Sequence, residues 1–330
     1  MAKATLALAE EQAQATLALE LEAAEEAAGL LEKRMKAARR EVTQAYLAAF
    51  GSEDAEPQRG PALATLIEDA KATIADALDG TGEAAAQTLE EYARKAAQLG
   101  AEHAAVVVEE ASSLDAPEPD LSSARAAPGI VADAKRDSSR MLTQTLVMGA
   151  GFAGVMAVVG RANRGAHDLR REARTTVNSV RNEAVHEVAE AHGYGRVWVT
   201  EADGCVECQA YAGQVAWVGE DFPGGLTFGT SEPRSSDPLP DPPLHPNCRC
   251  EVMPYSESDG PAFPDALKRE AKRSILKGWR VESESETVRL RAAQGLLNRG
   301  AGLPKSVEEV AARSVRKGKF PSRRVPRFQR

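Results

Sequence analysis

Four cysteines and one histidine, all within 46 residues, are the side chains best able to do chemistry in this chain of 330 residues. Cys205-x-x-Cys208 stands before a Pro-rich loop and His245-x-x-Cys248-x-Cys250 stands after it. Two short ligand pairs on either side of a loop are how a tetrahedral zinc site is assembled, each pair supplying one edge. Five candidates compete for four places. If the HPNCRC segment is extended, Arg249 sends Cys248 and Cys250 to opposite sides. Cys205, Cys208 and Cys248 are the preferred ligands, with His245 and Cys250 contesting the fourth. Disulfides, a redox-active Cys-x-x-Cys and unliganded thiols are the alternatives, although no secretory context or thioredoxin-like βαβ pattern accompanies the cysteines. A catalytic zinc would need an open position and a nearby acid or base. Asp203 and Glu207 are close, but no deaminase-type His-x-Glu and no His-Glu-x-x-His occurs, and no His follows His245. The spacing therefore predicts a closed, structural site.

The second chemical feature is charge. The formal net charge is −8, yet Lys268–Arg330 carries 18 basic and 6 acidic residues, a net of +12, against −20 for residues 1–267. After Glu309 the chain has no acid, while Arg313, Arg316, Lys317, Lys319, Arg323, Arg324, Arg327 and Arg330 follow. Such a segment binds phosphates by counterion release, without base specificity and with strong salt sensitivity. A solubilising tail, or one docking on acidic protein surface, is the alternative.

The elements that must position these groups are mainly helical. Aromatics are 5% of the chain, and residues 1–50 hold 16 Ala, so Ala- and Leu-filled helices are expected. Leu17, Leu21, Ala24, Ala28, Leu31, Met35, Ala38, Val42, Ala45 and Ala49 form a seam of period 3.5, suited to a coiled coil or to neighbouring helices of the same chain. Helical periodicity resumes at Leu63–Leu78 and Ala84–Glu110, and Ser112–Pro128 reads as a linker. Met1–Glu11 lacks the form of a secretory signal. Met141–Gly160 is the most apolar stretch and is expected as one buried helix rather than a membrane span, given Gln144, two Thr and four Gly. An amphipathic helix over Asp168–His192 is followed by strand-like Arg196–Thr200 and Gln214–Val218. Helix-forming pattern returns beyond Pro264 and gives way to a basic tail at Val310–Arg330.

Taken in order, ARTTVNSVRNEAVHEVAEAHG (Ala173–Gly193), RVWVTEADGCVECQAYAGQV (Arg196–Val215) and PPLHPNCRCEVMP (Pro242–Pro254) resemble the phage Mu protein F-like minor head protein family, the phage head morphogenesis domain. The matching residues are Arg174, Thr175, Trp198, Asp203, Cys205, Cys208, Gly213, Pro243, His245, Pro246, Cys248, Arg249 and Cys250, within about 140–255. The resemblance implies a non-enzymatic minor capsid protein of the virion, assembled in the host cytoplasm and placed inside the head near the portal. Portal protein or major capsid protein would be its partners, with packaged genomic DNA as a further one. The N-terminal helix and the basic tail lie outside the motif. Residues 255–330 are too short and too poor in His, Cys and Gly-rich motif for the toxin or protease domains that some members carry.

The expected architecture is thus mainly α, with long N-terminal helices, a small α+β zinc-binding module and a basic C-terminal tail. Its segments are 1–112 (acidic, helical), 113–128 (linker), 129–255 (head morphogenesis module with structural Zn2+) and 256–330 (helical or disordered tail). A metal-dependent nuclease or hydrolase built on the Cys/His cluster, and a membrane-active ejection protein using Met141–Gly160, are the competing functions.

Overall fold

The computed structural model describes residues 2–55, 57, 60–108, 116–148 and 151–321. The fold is mainly helical with one small sheet: α1 (Ala2–Phe50), α2 (Pro61–Leu78), α3 (Thr81–Val108), α4 (Ala127–Met148), α5 (Phe152–Ala162), α6 (Arg164–Ala191), β1 (Gly195–Val199), α7 (Cys208–Tyr211), β2 (Val215–Ala216), β3 (Glu251–Tyr255), α8 (Ala262–Lys277), α9 (Glu286–Arg299) and α10 (Lys305–Lys317). The chain divides into two compact units that do not follow chain order. One comprises Met1–Ala18, Lys95–Pro119 and Asn178–Arg330, and the other Leu19–Arg94 and Asp120–Val177.

The second unit is a helical bundle. Its part of α1 buries Ala24, Ala28, Leu31, Met35, Ala38 and Val42, the middle of the predicted seam, while Leu21 at one end is 45% exposed. Burying Leu31 and Met35 is worth about 2 kcal/mol each. Helices of the same chain cover this stripe. Tyr92 of α3 donates to Glu26 at 2.7 Å, and Arg170 of α6 grips Glu25 at 3.1 Å and Glu32 at 2.7 Å. Tyr46 packs edge-on against Phe152 of α5, with ring centroids 5.1 Å apart.

The structure corrects three expectations. Met141–Gly160 is divided between α4 and α5, with Val147 and Met148 exposed and Met156, Val158 and Val159 buried. Glycine at Gly151, the N-cap of α5, accompanies the new start. No helix among the described residues is long and apolar enough to cross a membrane. Secondly, the end of the predicted linker is structured: a 3-10 turn at Ala124–Ala126 leads directly into α4, with Pro128 in the first turn, where its missing N–H costs nothing. Part of that linker, residues 113–115, lies outside the described residues.

Thirdly, the C-terminal segment is packed rather than a tail as far as Pro321. Ala311 and Phe320 share a core with Ile275, Leu276, Ala292, Ala293 and Leu296 from α8 and α9. The stripe Val307, Ala311, Val315 repeats every four residues and is hidden in the sequence among cations. Arg313, Arg316, Lys317 and Lys319 point outward and are exposed. Arg323, Arg324, Arg327 and Arg330 lie outside the described residues.

In the first unit the sheet runs β2-β1-β3, all antiparallel, with Trp198 opposite Val252 and Val197 opposite Met253. Alternation sends the two pairs to opposite faces. Trp198 and Val252 join a core with Val185 and Val188 of α6 and the buried cysteines, whereas Val197 and Met253 pack with Phe263 and Leu267 of α8. Sequence reading found β1 and β2 and missed β3, whose Pro254 argues against a central strand. The strand is an edge, and Pro254 turns its nitrogen the same way as Val252, away from β1.

Helices α3 and α6 touch at Gly100. A Cβ there would lie 2.4 Å from the Arg181 carbonyl oxygen and 2.9 Å from the Ala184 Cβ, whereas one on Gly29 of α1 would meet nothing within 4 Å. Gly100→Ala is therefore expected to destabilise by about 1–3 kcal/mol through overpacking. Gly29→Ala is expected to stabilise by roughly 0.5–1 kcal/mol through helix propensity. Urea unfolding of the two variants, read as opposite shifts of the midpoint, checks both.

Candidate metal centre

Each donor pair is held by a different part of the sheet unit. After β1 the chain turns through Thr200–Gly204 and enters α7, so Cys205 precedes the short helix and Cys208 opens it. Gly213 ends this excursion with φ +72°, and a Cβ there would fall 2.3 Å from the Pro264 carbonyl oxygen. That position requires glycine for both conformation and space. The second donor segment, His245–Cys250, leads straight into β3, so the pairing of β3 with β1 brings the two halves together.

All five predicted donors converge. The Cys205 Sγ lies 3.5 Å from His245 Nε2, Cys208 Sγ lies 3.3 Å from the same nitrogen, and the Sγ atoms of Cys208 and Cys248 are 3.7 Å apart. The donors fall in two triads that share Cys208: Cys205, Cys208, His245 and Cys208, Cys248, Cys250. The four cysteines are free thiols, which sets aside the disulfide alternative for this structure. Cys208, Cys248 and Cys250 are at most 3% exposed. Together these groups can hold a metal ion.

Hydrogen bonds prepare the donors. His245 donates from Nδ1 to the Pro246 carbonyl at 3.0 Å, which leaves Nε2 facing the thiols. The backbone N–H of Cys208 donates to Cys205 Sγ at 3.5 Å, and Thr200 Oγ1 lies 3.6 Å from Cys250 Sγ. Electrostatics favour thiolate in part of the cluster. The hydrogen bond from Cys208, helped by His245 and opposed by burial, brings Cys205 down to about 3. Cys248 is likewise lowered by its hydrogen bonds with Cys208 and Cys250. Cys208 is raised because it donates to Cys205, and Cys250 because it is buried. Burial disfavours the His245 imidazolium, but Cys205 and the charge on Cys248 outweigh it and lift this group to about 9. Thiolate is the form a metal requires.

Residues around the donors tie the two segments to each other and to the rest of the unit. Arg249 bridges to Asp203 at 2.8 Å and Glu201 at 2.7 Å, which joins the HPNCRC segment to the loop before Cys205. Burial in this group, only partly offset by Arg249, pushes Glu201 up to about 7. From α6, Asn178 and Asn182 donate to the Cys250 carbonyl, Arg181 donates to the Val252 carbonyl at 2.8 Å, and the Val252 N–H donates to Asn182 at 3.0 Å. The free edge of β3 is thereby closed by side chains instead of a fourth strand. Arg196 of β1, fully buried, donates to Asp241 and to the carbonyls of Glu220 and Pro240, and His186 meets the same Asp241 at 2.6 Å. These contacts fasten the Pro-rich loop.

The C-terminal helices complete the shell. Buried Arg289 donates to the Gly204 carbonyl at 2.9 Å and Ser274 Oγ at 2.6 Å and pairs with Glu284 at 3.2 Å. Glu284 accepts from the Val206 N–H at 2.8 Å, and Ser274 donates to the Ala202 carbonyl. The Cys205 loop is thus gripped by α8, α9 and Glu284 between them. Sequence reading missed Arg181, His186, Arg196 and Arg289. A signal existed for the first: Asn178, Arg181 and Asn182 interleave with the apolar stripe of α6, where a polar residue must find a buried partner.

Compared with protein-family models, with curated proteins and with solved structures, the chain matches none. What the site does therefore rests on its own chemistry.

Cys208→Ser removes the donor common to both triads, and metal measured in anaerobically purified protein is expected to fall from about one equivalent to near zero. A double variant, Arg289→Met with Glu284→Gln, keeps all five donors and avoids an orphaned buried charge. It is expected to weaken metal binding about 10–100-fold, in line with other outer partners of metal ligands. Chelator competition with the double variant, at unchanged far-UV circular dichroism, gives the number.

Proposed function

We propose that this chain is a minor head protein of a tailed phage, a structural component that sits inside the capsid near the portal and performs no catalysis. The observation that carries this reading is the cross-tied Cys/His cluster, three of whose donors are buried in the core. A catalytic metal keeps one coordination position open to water and substrate. Here Cys208, Cys248 and Cys250 belong to a core with Trp198, Tyr211, Phe222 and Val252, half-buried Cys205 packs against it, and the backbones of the donor segments are fastened from α6, α8 and α9. Such a centre knits a small sheet that could not otherwise bury enough surface. The ordered residues Trp198, Asp203, Cys205, Cys208, Gly213, His245, Cys248 and Cys250, which resemble the Mu protein F-like pattern, supply the link to phage heads. In this reading Asp203 and Arg249 recur in the motif because they pair across it.

The metal is Zn2+. With about 2.3 Å to sulfur and about 2.0–2.1 Å to nitrogen, a tetrahedral zinc site has S–S edges of about 3.8 Å and S–N edges of about 3.6 Å. The Cys208–Cys248 separation of 3.7 Å and the His245 separations of 3.5 and 3.3 Å from Cys205 and Cys208 match single edges of such a site, in two triads that share Cys208. Zinc would supply a redox-inert crosslink. Cys250, buried beside Thr200, is the alternative fourth donor.

Packaged DNA is contacted by the outward cations Arg313, Arg316 and Lys317 of α10 and Lys319 just beyond it, with Arg323, Arg324, Arg327 and Arg330 following in the sequence. Portal or major capsid protein is the protein partner.

Particles purified from the host that carries the gene are expected to contain the chain in a few copies each, by quantitative mass spectrometry. DNA-filled particles that lack it would overturn the assignment. A nuclease activity lost in Cys208→Ser with folding retained would replace it by the metal-hydrolase reading. For the DNA contact, neutralising Arg313, Arg316, Lys317 and Lys319 with Gln preserves the packed face of α10. The salt dependence of duplex binding should then flatten by roughly one log unit per log unit of salt for each phosphate that is no longer neutralised.

A further inference from the structure

The helical unit carries a second cationic feature, far in sequence from the C-terminal segment. Where α5 hands over to α6, an open cleft of about 510 Å³ is lined by Ala157, Gly160, Arg161, Arg164 and His167. We propose that this cleft is a phosphate-binding site that takes the sugar-phosphate backbone of a nucleic acid.

The lining selects the ligand class. A site for a drug-sized molecule is enclosed and mostly apolar or aromatic, with a few polar groups. This cleft has no aromatic wall on which a base could stack, and its apolar part is one alanine and one glycine. What it offers is positive charge in an open cleft, which suits a chain of diesters running past rather than an enclosed metabolite.

The cations are uncommitted. Among the described residues, neither Arg161 nor Arg164 has a carboxylate within ion-pair distance. Asp168, one turn beyond Arg164 on α6, is taken by Arg171 at 2.9 Å. Glu32, whose charge also reaches His167, is taken by Arg170 at 2.7 Å. Arg161, Arg164 and His167 are all exposed, within reach of a ligand from solvent. Arg161 also lies in the last turn of α5, where a cation suits the helix dipole. That local role does not account for Arg164. Arginine suits the proposed ligand because its planar fork matches phosphate oxygens in pairs. Gly160 and Ala157 keep the floor low, so a phosphate can come close to the main chain.

The site does not depend on the C-terminal reading and can be separated from it. The full chain is titrated by fluorescence anisotropy with a random-sequence duplex and a random single strand across a salt series. Three variants accompany it: Arg161→Gln with Arg164→Gln, the four-Gln variant of α10, and Arg136→Gln with Arg140→Gln as a control. Arg136 and Arg140 are exposed, belong to the same unit and are already paired with Asp133 and Asp137. The expected result is a loss of about tenfold or more in affinity for the Arg161/Arg164 variant, with a salt slope shallower by about 2 and the control unchanged. The single variant Arg164→Gln guards against a helix-end effect at Arg161 and should lower the slope by about 1. Unchanged affinity and slope in both cleft variants overturn the proposal. If only the α10 variant loses binding, the cleft is excluded and the C-terminal contact stands; if only the cleft variants do, the reverse holds. Competition separates the sources of charge. Inorganic polyphosphate should displace the duplex from the α10 variant, and displacement by inorganic phosphate at equal phosphate concentration would mark a site for free phosphate. Displacement by poly-glutamate as effective as that by polyphosphate would assign the cleft to an acidic protein and overturn the nucleic-acid reading.

Discussion

The sheet unit depends on one buried contact, the grip of α6 on the outer edge of β3. Asn178, Arg181 and Asn182 bond to the backbone of Cys250 and Val252, groups that would otherwise be orphaned on an edge strand. Arg181 is completely buried, lies 3.5 Å from Glu251 and is pushed down from the usual arginine range by desolvation. Burying a guanidinium costs several kcal/mol unless its donors are matched, and breaking such a pair strands the remaining charge. The contact therefore specifies one register more than it adds stability. A slip of β3 by one residue would turn Cys250 and Val252 to the wrong face and take the Val252 carbonyl away from Arg181.

From that register the metal centre follows. β3 aligned on β1 sets the end of the HPNCRC segment beside the loop that bears Cys205 and Cys208, and Arg249 ties the two through Asp203 and Glu201. The same loop is held from the far side by Arg289, Glu284 and Ser274. Ligand geometry is thus fixed by elements about eighty residues downstream as well as by the ligands' own spacing. This is why residues that look like a charged appendage in the sequence are integral to the fold. α10 and Phe320 close the small core that presses α8 and α9 together, and so act on the Cys205 loop at one remove.

Charge is distributed by the same logic. The cations of α10 project from a helix whose opposite face is buried, and those beside the α5–α6 junction line a cleft free of carboxylate partners among the described residues. Other arginines are spent inside. Arg181, Arg196 and Arg289 bond to carbonyls and carboxylates in the sheet unit, and Arg170 clamps two glutamates in the bundle. A net charge summed over the chain does not distinguish a buried structural arginine from an exposed one.

The sequence by itself determined the helices with strong periodicity, the seam from Ala24 to Val42, strands β1 and β2, and the set of five donors. Those features are local: a helix face, an alternation and a ligand spacing are written within a few turns of chain. Only the tertiary structure decided that Met141–Gly160 is divided between two helices, that Glu251–Tyr255 is a strand closed by side chains, and that Val307, Ala311 and Val315 form a packed, partly buried face among cations. It alone brought Arg181, Arg196 and Arg289 inside. A buried arginine is recognisable by its partners, and for each of these three one backbone carbonyl partner lies far off in the chain, 71, 24 and 85 residues away. Hydrogen bonding of desolvated groups is settled in space, and no local pattern in the chain records it.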